Sequence, residues 1–236
     1  MLPDVPLYIN ALFILITLAV LWFFYRAMQE SESAKTKIKI VIGLFSVWLL
    51  LQALLASIGF YNTDKQSTPP HFLLAIAPPM LFILILFTTQ SGRNFIDGLS
   101  LKWITYMHIV RVFVELVLFM LCIYKYIPQL MTFEGRNFDI LAGATAPLIG
   151  YYGFIKGTLS KRTILIWNIA ALCLLLNIVI NAVLSAPFAF QQFAFDQPNV
   201  AILYFPYIWL PAFIVPVILF GHLVAIRRLT QKIKAV

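Results

Sequence analysis

His108, Arg111 and Glu115 stand three and four residues apart within the apolar run 103–124. On a helix, that spacing lines the three side chains along one face. An ionisable group inside a membrane-length apolar run is costly and marks a functional face, because lipid offers it no partner. Two chemistries follow. Arg111 and Glu115 can neutralise one another within the helix and only fix its packing. Alternatively, the permanently charged Arg111 anchors a carboxylate while Glu115 and His108 take and give protons as a relay.

A second polar group sits in the segment 131–143, where Glu134, Arg136, Asn137 and Asp139 precede the next apolar run. Asn137 or Asp139 is expected to cap the following helix. Four polar groups exceed what a cap requires, and they suit an outer gate or binding site over a cavity floored by Arg111 and Glu115. His222 closes the last apolar run, just before Arg227 and Arg228. At ~1.5 Å of rise per residue, His108 and His222 each fall roughly 8 Å inside the same membrane boundary. Two histidines at one depth could ligate haem or share a metal, or be unrelated interior residues; no other feature requires a cofactor. Asn168, Asn177, Asn181 and Gln52 suit hydrogen bonds between helices. Asn177, Asn181 and Gln52 are expected to face the same interior as Glu115. His71 belongs to the opposite end of its run and cannot join the other histidines.

The elements that must position these residues are apolar throughout. Of the 236 residues, 62% are hydrophobic and 11% charged, and the mean hydropathy is +0.92. Soluble domains are nearer half apolar and a quarter charged. Apolar runs cover roughly 5–25, 38–60, 71–89, 103–124, 138–155, 163–184 and 201–226. Each is near the ~20 residues a helix needs to cross the hydrocarbon core, and β-barrel strands would be about half as long. The expected fold is all-α: one polytopic membrane domain, 1–236, with seven transmembrane helices. The opening residues, Met1 to Pro6, carry no basic cluster, so the first run is read as a retained span. Cys122 and Cys173 lie inside apolar runs and read as buried free thiols rather than a disulfide framework.

Charge orients the bundle. The net charge of +8 comes from short basic clusters between runs, which is the pattern of topology determinants rather than of a nucleic-acid-binding face. The first loop holds Arg26, Lys35, Lys37 and Lys39, and the third Arg93 and Lys102. The fifth holds Lys156, Lys161 and Arg162, and the tail Arg227, Arg228, Lys232 and Lys234. Opposite them lie Lys65, Lys125 and Arg136. The bias places the N-terminus outside and the C-terminus in the cytoplasm.

Proline and glycine mark where helices can bend: Pro78-Pro79 in the third run, Gly143, Pro147, Gly150 and Gly153 in the fifth, Pro206, Pro211 and Pro216 in the seventh. Proline frees carbonyls that can become ligands beside a cavity, as in transporters with broken helices. The segment 186–196 carries four Phe and no basic residue, as expected of an interfacial loop or a lid. A short echo of the 131–143 segment, Gly92-Arg93-Asn94-Phe95, precedes the fourth run.

The stretch TFEGRNFDI from Thr132 to Ile140, continued by Ala142-Gly143 and Thr145-Ala146-Pro147, resembles that of uncharacterised bacterial multi-span proteins. The span bearing His108, Arg111 and Glu115 resembles theirs too. The resemblance covers about the middle third of the chain. It implies a bacterial inner-membrane location and supplies no activity.

Two comparisons of function class fail on residues. A retinal protein needs a lysine in the seventh span, and 201–226 has none. A membrane hydrolase of the ceramidase type needs three zinc-binding histidines, and His222 lacks a second histidine one turn away. Three readings remain, with a non-enzymatic role favoured. One is a gradient-driven transporter of a small polar or anionic solute, since no nucleotide-binding motif is present. Another is a ligand-binding sensor or accessory subunit acting with a partner protein or a second copy. The third is a haem- or metal-dependent enzyme using His108 and His222.

Overall fold

A computed structural model describes residues 2–63 and 69–231. Met1, Lys65, Lys232 and Lys234, used above, lie outside the described residues. Helix is the only extended regular structure among those described. The helices are α1 (Leu7–Gln29), α2 (Glu32–Lys35), α3 (Ile38–Ser57), α4 (Leu73–Thr88), α5 (Gln90–Gly98), α6 (Leu101–Met107), α7 (Val110–Ile123), α8 (Asp139–Gly150), α9 (Lys161–Leu184) and α10 (Val215–Thr230). Five of them, counting Leu101–Ile123 and Leu210–Thr230 each as one, are long and apolar enough to cross a membrane. The pair α4–α5, which bends by 93° at Thr89, makes a sixth only when the two are taken together as one span. These helices mark a membrane-embedded chain.

The bends fall where the local hydrogen bonding changes. Pro78 and Pro79 sit inside α4 without ending it. The sharp turn comes ten residues later, where the Thr89 hydroxyl accepts from the Gly92 N–H and starts α5. Between α6 and α7, Arg111 N–H donates to His108 and Val112 N–H to Ile109, three residues back rather than four. This tightened turn lies at the polar face. α8 runs into a π-helical turn, Tyr151–Ile155.

The last span starts later than its sequence suggests. Residues 201–209 form a short 3-10 turn, Ala201–Leu203, and a loop, and the span proper is Leu210–Thr230. The apolar run is misleading here because its prolines interrupt the ladder. A π-helical turn, Leu210–Ile214, leads into α10. Pro216 has no N–H for the carbonyl four residues before it, Ala212. The Trp48 indole supplies one at 2.9 Å, and Trp209 returns the bond to the Leu49 carbonyl at 2.9 Å. The carbonyl that proline frees is thus used to tie α3 to the last span.

At one end of the bundle the segments are fastened by charge. Glu30, just past α1, accepts from Ser100 at 2.7 Å, Lys102 at 2.7 Å and Trp103 at 2.6 Å, at the start of α6. Burial pushes its carboxyl up, but the bonds from Lys102, Trp103 and Ser100 outweigh this and hold it below its ordinary value. Arg227 of α10 forms a two-point bond to Asp97 of α5, both arms 2.9 Å. Cys122 is half-buried and Cys173 exposed, so the second thiol looks outward from α9 instead of into the core.

Candidate functional site: a buried polar row

Arg111, on α7, is 3% exposed and its guanidinium reaches three other helices. Its Nε donates to Asp139 Oδ2 at 2.6 Å and its Nη2 to Asp139 Oδ1, a two-point ion pair with the first residue of α8. Nη2 also donates to the Ala171 carbonyl of α9 at 3.0 Å. Nη1 donates to His222 Nε2 of α10 at 3.0 Å. Planar, forked guanidinium geometry makes such two-point carboxylate contacts strong.

That bond settles the state of His222. Nε2 must accept, so the ring is neutral with its proton on Nδ1, which donates to Asn168 Oδ1 at 3.1 Å. Asn168 in turn donates to the Ile164 carbonyl at 3.0 Å. The His108 ring stacks on His222 with centroids 4.0 Å apart and planes 22° apart, and meets Trp167 edge-on. Both His108 nitrogens are buried without a partner among the described residues.

The row continues in the other direction through Asn137. Its Nδ2 donates to Glu115 Oε1 and to the Met131 carbonyl, and its Oδ1 accepts from the Asp139 N–H at 3.0 Å. Asn137 therefore both holds Glu115 and orients the loop entering α8. The second oxygen, Glu115 Oε2, is buried without a partner among the described residues. His108, His222, Arg111, Asp139, Asn137 and Glu115 form one continuous buried sequence of polar groups.

Gly143 makes this convergence possible. A Cβ there would stand 2.8 Å from the Val112 backbone nitrogen and 3.2 Å from the Arg111 Cβ, so α8 can approach α7 only with glycine. Asp139 lies one turn before Gly143 on the same face and is thereby carried onto Arg111.

Several expectations are corrected. Arg111 pairs with Asp139 across helices instead of with Glu115 within its own, because the close approach at Gly143 offers a two-point partner. Asn137 and Asp139 are buried and close over Arg111 and Glu115. Glu134 and Arg136 stay exposed. Arg136 offers its carbonyl to Asn177 at 2.8 Å and lays its guanidinium 5.8 Å from the Phe193 ring. The residue before α8 is Phe138, and Asn137 caps from one position earlier. Asn177 and Asn181 bond the loop and each other. Gln52 accepts from Tyr61 at 2.5 Å and makes no bond to the row. The polar residue of α9 that does join the row is Asn168, the one left out of the set expected to face Glu115.

As for haem or metal, both His222 nitrogens are engaged by Arg111 and Asn168, and His108 lies face to face with it. Rings stacked in this way do not point their nitrogens at a common centre, and no cluster of three metal-binding side chains occurs among the described residues. The two histidines do not fit a shared metal. His71 stacks on Phe60 at 4.6 Å, and neither histidine of the row touches it.

Every residue of the row falls within 68–230, and a family model described as "Domain of unknown function (DUF8737)" matches that segment. The chain belongs to this family. The matched part of this DUF8737 protein runs from α4 to α10, leaving α1 to α3 outside it. No curated protein and no solved structure matches the chain.

Proposed function

We propose that this DUF8737 protein is a seven-span bacterial inner-membrane protein that uses a proton or ion gradient to move a small polar or anionic solute. The carrying observation is the buried row: Arg111 held by an internal carboxylate, flanked by two groups with unpartnered titratable atoms, His108 and Glu115. Charges so placed among apolar helices are expected at solute and proton pathways. The Asp139 carboxylate occupies the position a solute carboxylate would take on Arg111. Exchange of one for the other requires the 131–143 segment to swing aside, and it frees Asn137 from Glu115 at the same time. Solute entry and proton exchange at Glu115 are thereby linked.

Seven crossings require α4 and α8 with its π-helical turn in addition to the five longer helices. The proposed orientation is supported by the gathering of Arg26, Lys102 and Arg227 at one end: the Arg26 guanidinium lies 4.5 Å from the Trp103 ring and Arg227 pairs with Asp97 near the α5–α6 junction.

The test is uptake of membrane-impermeant radiolabelled anions, such as succinate, glutamate and phosphate, into vesicles containing the purified chain. An imposed pH gradient should drive uptake of at least one, and Glu115→Gln should remove the pH dependence. Uptake with the same pH dependence in Glu115→Gln overturns the coupling. Saturable binding without any flux favours the sensor reading over transport.

A further inference from the structure

Between α3 and α4 lies a groove of about 610 Å³, floored by α10. Its volume falls in the ~300–1,000 Å³ range of ligand pockets. Leu44 and Trp48 of α3, Pro79 and Phe82 of α4, and Val217 and Phe220 of α10 supply its walls. The groove persists because α3 packs mainly against α1 and is moored to the last span by the two Trp indoles, at Ala212 and Leu49. It opens sideways: Ile40, Leu44 and Phe82 are 65%, 56% and 41% exposed, on helices whose outer faces meet lipid.

Polarity appears at the foot of the groove alone. There Lys37 and Ser91 join the lining, while α5, turned across by the bend at Thr89, closes it with Gly92 and Phe95. Lys37 is exposed, with Lys35 and Lys39 exposed on either side. α5 buries Phe95 and Ile96 and exposes Gln90 and Ser91, as a helix lying in a membrane interface does. The foot is therefore at headgroup level and the rest of the groove at acyl-chain depth.

We propose that this groove binds an anionic phospholipid, with one acyl chain against Phe82, Val217 and Phe220 and its phosphate at Lys37 and Ser91. A long apolar slot ended by a cation complements such a molecule in both shape and charge. A basic residue near the surface contributes about fivefold to the affinity for an anionic headgroup.

The experiment uses the full chain in phosphatidylcholine vesicles containing a minority of phosphatidylglycerol that carries a photoreactive acyl chain. Crosslinks are mapped by mass spectrometry. Labelling should concentrate on peptides containing Phe82, Val217 and Phe220, and should be competed by unlabelled phosphatidylglycerol. Lys37→Gln, a surface change that leaves the bundle intact, should weaken that labelling about fivefold but leave labelling by a photoreactive phosphatidylcholine unchanged. Leu44→Trp, which fills the groove from a wall position that is 56% exposed, should abolish labelling at Phe82 and Phe220 without altering the thermal unfolding profile. Equal labelling of the outward residues Ile166 and Ile169 on α9, or indifference to headgroup charge and to Lys37→Gln, overturns the proposal.

Discussion

Arg111 gives four of its five N–H groups to acceptors on three other helices, α8, α9 and α10. Removing one member of such a buried pair leaves an uncompensated charge, which costs about 3–5 kcal/mol. Asp139→Asn should therefore lower stability by that amount in chemical unfolding of the detergent-solubilised chain. Replacing both partners, Arg111→Met with Asp139→Leu, should restore most of it, because the pair's desolvation is relieved along with its attraction. A double variant no more stable than Asp139→Asn alone would show that Arg111 is held chiefly by Ala171 and His222. The participants Arg111, Glu115, Asn137 and Asp139 were legible from residue type, since each is a polar group beside or within an apolar run. Their pairing was not, because within-helix spacing is visible in a sequence whereas the approach of a second helix is not. Asn168 escaped for the same reason: only the arrival of His222 from α10 distinguishes it from Asn177 and Asn181.

Helix by helix, the bundle depends on a few close contacts. Gly143→Ala places a methyl against the Val112 backbone, where no flexible side chain can yield. It should destabilise by about 1–3 kcal/mol, the range of overpacked cores, and weaken the Arg111–Asp139 contact with it. A thermal melt of the reconstituted chain measures this, and an unchanged midpoint would refute the packing argument. Glu30 joins α1 to α6 through its three bonds. Its carboxyl is held below the ordinary value when folded, so its contribution is present above the unfolded pKa of about 4.3 and is lost as pH falls through the lowered folded value. Acid unfolding should therefore show a component that Glu30→Gln removes, and unfolding curves of equal pH slope would exclude it. Helix positions were largely readable from apolar run length, because membrane-length runs leave little else to form. The bend at Thr89 was not, since neither proline nor glycine occupies it and the prolines of α4 cause no break. The late start of the last span was hidden by loop residues as apolar as the span itself.

Across the whole molecule, the family match from α4 to α10 contains the complete polar row, while α1 and α3 add one wall of the groove. Orientation is open to a direct measurement. In a background without Cys122 and Cys173, a cysteine at Lys39, Arg93 or Lys161 should react with an impermeant maleimide only from the cytoplasmic side, and one at Lys125 or Phe195 only from outside. Labelling of Lys39 and Lys125 from the same side would sink the proposed topology. A Cβ on Gly92 would fall 2.6 Å from the Leu86 Cα, so the corner between α4 and α5 is locked, and α4 ends after 16 residues. At ~1.5 Å per residue it measures roughly 24 Å, against roughly 36 Å for the 24 residues of α9. The two flanks of α10 thus match bilayers of different thickness, and the surrounding leaflets must thin beside α4 or α9 must tilt. Melting midpoints in a series of phosphatidylcholines of increasing acyl length should pass through a maximum and fall on the long-chain side. Gly92→Ala, by forcing the corner open, should move that maximum.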